Sequence, residues 1–219
     1  MNKQTPHICP EKETAPYVIN IGRQLGSGGR AIGMLLAKEL DIAYYDKEIL
    51  TIAAQESGFC TEVFERSDEH KGFFRSMFGN LIPAMSSGTD FYRNQLSDEH
   101  LFQLQAEAIR KAAHKQSCIF IGRCADYILR DHPRCVNVFV VADKEDRIRR
   151  ICEADGCDRA AAEKKIESGD RQRAEYYNFY STGRWGAADT YHLCINSSTM
   201  GIEATAEFIK EFISKKLGL

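Results

Sequence analysis

Three glycines and two arginines crowd the segment Arg23-Gln24-Leu25-Gly26-Ser27-Gly28-Gly29-Arg30. These residue types at this spacing suit the binding of an anion. Glycine lets backbone N–H groups turn toward one point, a helix that follows adds partial positive charge from its N-terminus, and arginine offers forked donors matched to phosphate oxygens. Further arginines stand in Gly122-Arg123 and in Asp170-Arg171-Gln172-Arg173, and a carboxylate stands at Asp46. Together they could do phosphate chemistry. Guanidinium groups would neutralise charge on the phosphate oxygens, and an aspartate would bind a sugar hydroxyl or a metal-bound water.

The glycine segment departs from the pattern G-x-x-x-x-G-K-[ST]. With Gly28 as the second glycine, Gly29 falls at the lysine position and Arg30 at the hydroxyl position. Arg23 and Arg30 are then the residues able to supply the positive charge. Two other readings stand beside this one. A glycine-rich turn can bind nothing, and Gly26 to Ala31 also fits the dinucleotide fingerprint G-x-G-x-x-A, with Asp46 about where a ribose-binding acid belongs. Against the fingerprint, the stretch from Gly22 to Gly26 is long for a tight turn directly after a strand.

The elements that must position these residues can be read from apolar periodicity. Tyr17 to Ile21 reads as a buried strand ending near Gly22, followed by a helix from Arg30 with Ile32, Leu35, Leu36 and Leu40 on one face. Ile42 to Tyr45 reads as a second strand ending at Asp46, with a helix over Lys47 to Ser57. A strong helix begins at Ser97-Asp98-Glu99. Cys118 to Ile121 is a buried strand running into Gly122-Arg123, with a short helix to Arg130 behind it, and Cys135 to Val141 is another, ending at Asp143. Helices fill 144–155 and 158–180, the second with a break near Gly169. Tyr191 to Ile195 is the last strand, and residues from Ile202 to Ile213 form a closing amphipathic helix. Alternating buried strands and helices predict a mostly parallel sheet covered on both faces, with ligands beyond the carboxyl ends of the strands. Gly22, Asp46, Gly122-Arg123 and Asp143 each fall at such an end.

Residues 1–16 read as a flexible tail and 17–219 as one domain, with 59–97 an inserted lobe and 156–188 a lid region. Arg171 and Arg173, two residues apart on a helix, point to roughly opposite sides, so one faces a phosphate while the other pairs with an acid. Arg149 and Arg150 read as solvated surface groups, and Tyr176, Tyr177, Tyr180 and Trp185 as packing.

Composition narrows the partners. The 219 residues carry 29 lysines and arginines against 31 acids, a net charge of -2 with no basic tract, which argues against nucleic acid as the main partner. The polar start of the chain reads as neither a signal peptide nor an anchor, and no apolar run approaches a membrane span. The eight cysteines show no C-x-x-C pair and no zinc spacing, so they are expected to be reduced, in a cytoplasmic setting. No metal site is expected from side-chain clusters.

The run Arg23 to Gly33, the segment Tyr44-Tyr45-Asp46-Lys47-Glu48, the stretch Ile121 to Leu129, and Asp170 to Tyr177 with Trp185-Gly186 and Ile195-Asn196-Ser197-Ser198 together resemble the cytidylate kinase-like family. The similarity extends over nearly everything from Tyr17 onward. It implies a three-layer α/β/α P-loop NTPase-type fold with an inserted helical monophosphate-side lobe and an arginine-bearing lid. It also implies ATP and Mg2+ as donor and cofactor, with transfer of the γ-phosphoryl group to a nucleoside monophosphate or related small acceptor. On that resemblance Arg23, Gly26, Ser27, Gly28, Gly29 and Arg30 would hold the donor. Asp46, Gly122, Arg123 and Asp170 would meet the acceptor, and Arg30, Arg123, Arg171 and Arg173 would assist transfer. Cys124 stands where the family's strand-end Gly-Arg-Asp has its aspartate. A nucleotide-binding sensor or interaction protein with little or no kinase activity is the alternative, and an NAD(P)-binding oxidoreductase the third choice.

Overall fold

The computed structural model describes residues 15–46 and 98–219. The N-terminal tail up to residue 14, the helix expected over 47–57 and the lobe expected over 59–97 lie outside the described residues.

Five strands form one parallel sheet in the order β2-β3-β1-β4-β5. They are β1 (Val18–Arg23), β2 (Ala43–Tyr45), β3 (Cys118–Ile121), β4 (Cys135–Val141) and β5 (Leu193–Asn196). Between and after them run α1 (Gly29–Leu40), α2 (Asp98–Lys115), α3 (Ala125–Ile128), α4 (Lys144–Asp155), α5 (Arg159–Tyr180) and α6 (Gly201–Leu217). The central strand β1 pairs with β3 on one side, Val18 opposite Cys118, and with β4 on the other, Val18 opposite Cys135.

Alternation along the strands builds a core on each face. Val18, Cys118, Phe120 and Cys135 point to the layer of α2, α3 and the end of α5, where Ala106, Ile109, Ala113, Ile128, Tyr176 and Tyr177 are buried. Ile19, Ile21, Ile119, Ile121, Val136, Val138 and Val140 point to the layer of α1 and α6, against Ile32, Leu36, Ile209 and Ile213. Strands apolar on both faces are the mark of a sheet covered on both sides. A third cluster, Ile148, Ile151, Ala162 and Ile166, joins α4 to α5.

The structure adjusts several expected boundaries. β1 continues through Gly22 to Arg23, because Gly22 and Arg23 remain in register with Phe139 and Val140 of β4. The last strand begins at Leu193 instead of Tyr191, whose ring turns to pack 4.8 Å from that of Phe139. Helix α5 is continuous through Gly169. A Cβ at that glycine would lie 2.9 Å from Leu25 Cδ2, so the residue serves close packing and does not break the helix.

Tyr176, Tyr177, Tyr180 and Trp185 pack as expected. Tyr176 and Tyr177 are buried, Tyr180 stacks on Phe102 at 4.2 Å, and Trp185 meets Phe139 edge-on at 5.2 Å. Of the described cysteines all six are free thiols, and Cys194 is exposed on β5. No helix among the described residues is long and apolar enough to cross a membrane.

Candidate functional site

The loop between β1 and α1 has its carbonyls tied outward. Gln24 O accepts from Ser27 Oγ at 2.9 Å, Leu25 O from Arg147 Nε at 2.7 Å, Gly26 O from Arg150 Nη1 at 3.2 Å, and Ser27 O from Ser197 Oγ at 2.6 Å. Gly28 caps α1 with φ +80 and no side-chain cap, and no acid stands in the first turn. The first-turn N–H groups of a helix lack intrahelical acceptors, and here no side chain of the helix start supplies one. The result is a helix N-terminus whose partial positive charge is offered to the space above the sheet. Neither Gly26 nor Gly28 can be replaced freely. Both have positive φ, and a Cβ at Gly28 would sit 2.0 Å from Ile202 Cδ1.

Arg23, the last residue of β1, crosses this space. A Cβ on Gly29 would lie 2.7 Å from Arg23 Cβ, and a Cβ on Gly122 would lie 1.9 Å from Arg23 Nη1. The arginine stem thus runs past the start of α1, and its guanidinium rests on the backbone at the end of β3. Counting back five residues from Gly28, Arg23 also holds the first-glycine position of the phosphate-loop pattern. A bulky residue there and a glycine at the lysine position go together, because the stem of one uses the room of the other.

Asp46 follows β2 and is only 3% exposed. Its Oδ2 pairs with Arg30 Nε at 3.0 Å and its Oδ1 lies 3.7 Å from Arg23 Nη2. Burial lowers the proton affinity of Arg23, and Asp46 offsets part of that effect.

The end of β3 is unusual in its backbone. Gly122, Arg123 and Cys124 are consecutive left-handed residues, with φ of +70, +63 and +55. For the two non-glycine residues this conformation is strained, and such strain tends to collect at functional sites. Gln105 of α2 holds the turn. Its Nε2 donates to Arg123 O at 3.1 Å and to Tyr176 Oη at 3.2 Å. Beyond the turn, Tyr177 Oη donates to Asp126 Oδ2 at 2.5 Å, and burial raises the proton affinity of that carboxylate.

Arg173 enters from α5. Its Nη1 is buried without a hydrogen bond, 3.7 Å from Asp170 Oδ1. Burial, with Arg23 next, pushes the Arg173 guanidinium down to about 9. Arg123 is likewise pushed down to about 10, chiefly by burial, with Arg23 again adding to the effect. Three guanidinium groups thus converge within the electrostatic reach of Arg23, its own at the end of β1, that of Arg123 after β3 and that of Arg173 on α5, and Asp46 acts on all three. The exposed Arg171 lies on another side of α5, away from this convergence. The expected divergence of Arg171 and Arg173 is thus seen, with Arg173 the inward one.

Asp170, expected to meet substrate, is bound within the chain. Its Oδ1 accepts from Leu25 N at 2.7 Å, and its Oδ2 is bound by Arg147 Nη2, so both oxygens are engaged by the chain itself. Arg150, expected as a solvated surface group, instead bonds Gly26 O and Ser197 Oγ. Arg149 is solvated as expected, paired with Asp146 and Glu153. Arg147 and Gln105 do not stand out in the sequence, and Ser197 appears only within the run Ile195-Asn196-Ser197-Ser198. Their signal was weak, an arginine or glutamine on an otherwise ordinary helix and a serine after a strand.

A family model described as the cytidylate kinase-like family matches residues 18–199. The chain belongs to the cytidylate kinase-like family. Among solved structures, an uncharacterized protein from Eubacterium ventriosum is similar at 27% identity and a TM-score of 0.67, covering 90% of this chain and 98% of that one. Shikimate kinase from Bacteroides thetaiotaomicron is similar at 13% identity and a TM-score of 0.50, over 90% and 98% of the two chains. A gluconokinase from Sinorhizobium meliloti is similar at 11% identity and a TM-score of 0.50, over 93% and 94%. No curated protein matches the chain significantly. As a cytidylate kinase-like protein with P-loop kinase neighbours, it has a nucleotide-binding, kinase-like fold. The strand order separates the chain from the dinucleotide-binding reading, since β3 lies between β1 and β2, whereas the Rossmann order sets those two side by side.

Proposed function

We propose that this cytidylate kinase-like protein is a phosphotransferase that moves the γ-phosphoryl group of ATP to a nucleoside monophosphate or a related small acceptor. The observation that carries this reading is the placement of Arg23 beside the uncapped N-terminus of α1, its stem against Gly29, with Arg123 and Arg173 within its electrostatic reach. A cluster of guanidinium groups whose burial disfavours their charge is suited to a polyanion, which favours that charge.

ATP fits this chain. The N–H groups at the start of α1 would receive its phosphates, and Arg23, with Arg30 at the rim, would supply the cation that a lysine supplies elsewhere. Mg2+ does not find a built site, because Arg30 stands at the hydroxyl position and Asp46 is engaged by two arginines. Among the described residues no group of three or more acidic, histidine or cysteine side chains could hold a metal. The ion would arrive on the nucleotide, so its chemistry is left to the nucleotide and the roles below belong to the chain.

In the transfer an acceptor oxygen forms a bond to the γ-phosphorus while the bond to the departing ADP oxygen breaks. The protein's part is positioning and electrostatics. Arg123, fixed at the end of β3, orients the acceptor phosphate. Arg173 and Arg23 neutralise charge on the equatorial oxygens and on the leaving group. Asp46 holds Arg23 and Arg30 in place.

A second reading, nucleotide binding without efficient turnover, is favoured by one observation, Gly29 and Arg30 at the lysine and hydroxyl positions. A thermal-shift panel of ATP, NAD(H) and nucleoside monophosphates, run beside a phosphoryl-transfer assay with Mg2+, separates the two. Stabilisation by ATP with turnover supports the kinase. Stabilisation without turnover on any acceptor supports the second reading.

A further inference from the structure

Leu25 is gripped on three sides. Its N–H donates to Asp170 Oδ1 at 2.7 Å, and its carbonyl accepts from Arg147 Nε at 2.7 Å. Its side chain packs on the cluster of Ile148, Ile151, Ala162 and Ile166 and against the bare face of Gly169. Arg147 and Asp170 are also bound to each other, Nη2 to Oδ2, with side chains 9% and 17% exposed. One residue of the phosphate-facing loop is therefore fixed by α4 through its carbonyl and by α5 through its amide.

The same carboxylate governs Arg173. That arginine sits one turn further along α5, its Nη1 3.7 Å from Asp170 Oδ1. The loop and the inward arginine of α5 thus share a single anchor. A free lid would carry its arginine independently of the loop, whereas here α5 is attached to the loop at Asp170.

We infer that Asp170, with Arg147, is a positioning residue for the donor side of the site, a latch that fixes the loop at Leu25 and sets Arg173 relative to it. It is not a ligand of the acceptor. The role in donor binding rests on the phosphotransferase reading, while the latch itself rests on the contacts of Leu25 alone.

The test uses the full chain and two readouts. Amide hydrogen exchange at Leu25 is followed by NMR in the protein without nucleotide, and equilibrium binding is measured for Mg·ATP and for a panel of nucleoside monophosphates. Asp170→Asn removes the charge that fastens Arg147, and the paired variant Asp170→Leu with Arg147→Met removes the latch without leaving one buried charge behind. The expected result is that Leu25 exchange accelerates about tenfold or more in the paired variant. Mg·ATP binding is expected to weaken by roughly tenfold to a hundredfold, as misplacement of a binding loop predicts, with a smaller change for the monophosphates.

Unchanged Leu25 exchange in the paired variant overturns the latch. Weaker monophosphate binding with unchanged Mg·ATP binding makes Asp170 an acceptor ligand and also overturns the proposal. Should Mg·ATP bind neither the parent nor the variants, the phosphotransferase reading fails, and the Leu25 exchange rates still decide whether the latch exists.

Discussion

The Nη1 of Arg23 lies so close to Gly122 that a Cβ on the glycine would stand 1.9 Å from it. An arginine at the end of the central strand therefore rests on the backbone of the neighbouring strand's end. The same side chain blocks position 29, where a Cβ would lie 2.7 Å from Arg23 Cβ.

This pairing makes a directional prediction about loop chemistry. Gly29→Lys alone restores the pattern lysine on paper but forces a Cβ against a stem that the strand holds in place, and overpacking of this kind costs about 1–3 kcal/mol. It is expected to destabilise the protein and to weaken Mg·ATP binding. Arg23→Gly combined with Gly29→Lys clears the space, and this exchange is expected to recover binding. Urea unfolding and calorimetric titration of the three proteins check both halves.

Arg123 is strained as well as functional on the proposed reading, so its substitutions should separate stability from binding. A left-handed non-glycine residue costs roughly 1–2 kcal/mol. Arg123→Gly removes that strain and a buried charge, and it is expected to be more stable than Arg123→Ala by about 1 kcal/mol. Both variants should lose roughly tenfold to a hundredfold in monophosphate affinity, the loss of a charge-assisted contact. Equal stability of the two, or unchanged affinity, would show that the turn does not work as described.

Gln105→Leu tests the support of the same turn from behind. The substitution removes the hydrogen bonds that Gln105 gives to Arg123 O and Tyr176 Oη in a buried setting, with an expected cost of about 1–3 kcal/mol. Since Gln105 touches no proposed ligand, KM for the acceptor should rise more than kcat falls. Steady-state kinetics with varied acceptor read the split, and an unchanged KM would count against a positioning role.

The buried arginines set opposite pH trends for folding and for binding. Burial lowers Arg173 to about 9 and Arg123 to about 10, from an ordinary 12.5. For a base with a depressed folded value, the unfolded chain binds more protons between the two values, so stability rises with pH across that window. Anion binding needs the charged form and should weaken toward alkaline pH. The difference between the parent and Arg173→Met, measured near neutrality and at about pH 10 by denaturation and by ATP titration, isolates the effect. Matching pH slopes in the two proteins would refute it.

The fold was legible because the strands are apolar on both faces and the helices carry their stripes at regular spacing. Cys118 to Ile121 and Cys135 to Val141 need no tertiary context to be read as buried strands. The ends of the elements were less legible. Gly22 and Arg23 look like loop, yet ladder pairing with β4 holds them in the strand, and Gly169 looks like a break, yet packing against Leu25 keeps it in a helix.

The arginines at 23, 30, 123 and 173 stand out in the sequence because each lies at a strand end or in a dense motif. Which way a helical side chain turns does not. Arg150 and Arg149 are adjacent and chemically identical, but only Arg150 faces the loop. Asp170 reads from sequence as a substrate-side acid, since nothing in its own segment reveals that Leu25 and Arg147 lie beside it. The left-handed conformation of Arg123 and Cys124 had no signal at all, since neither residue type favours positive φ.

Arg23 is the terminal residue of the strand at the middle of the sheet, in register with Val140. A lysine at the start of a helix must be immobilised when the nucleotide arrives, and freezing a long side chain costs up to about 1.5–2 kcal/mol. Here the stem is confined between Gly29 and Gly122 as soon as the sheet forms, so that entropy is lost during folding and not at each encounter with ligand. On the proposed reading the cation is preorganised, set in place by the sheet before any ligand arrives.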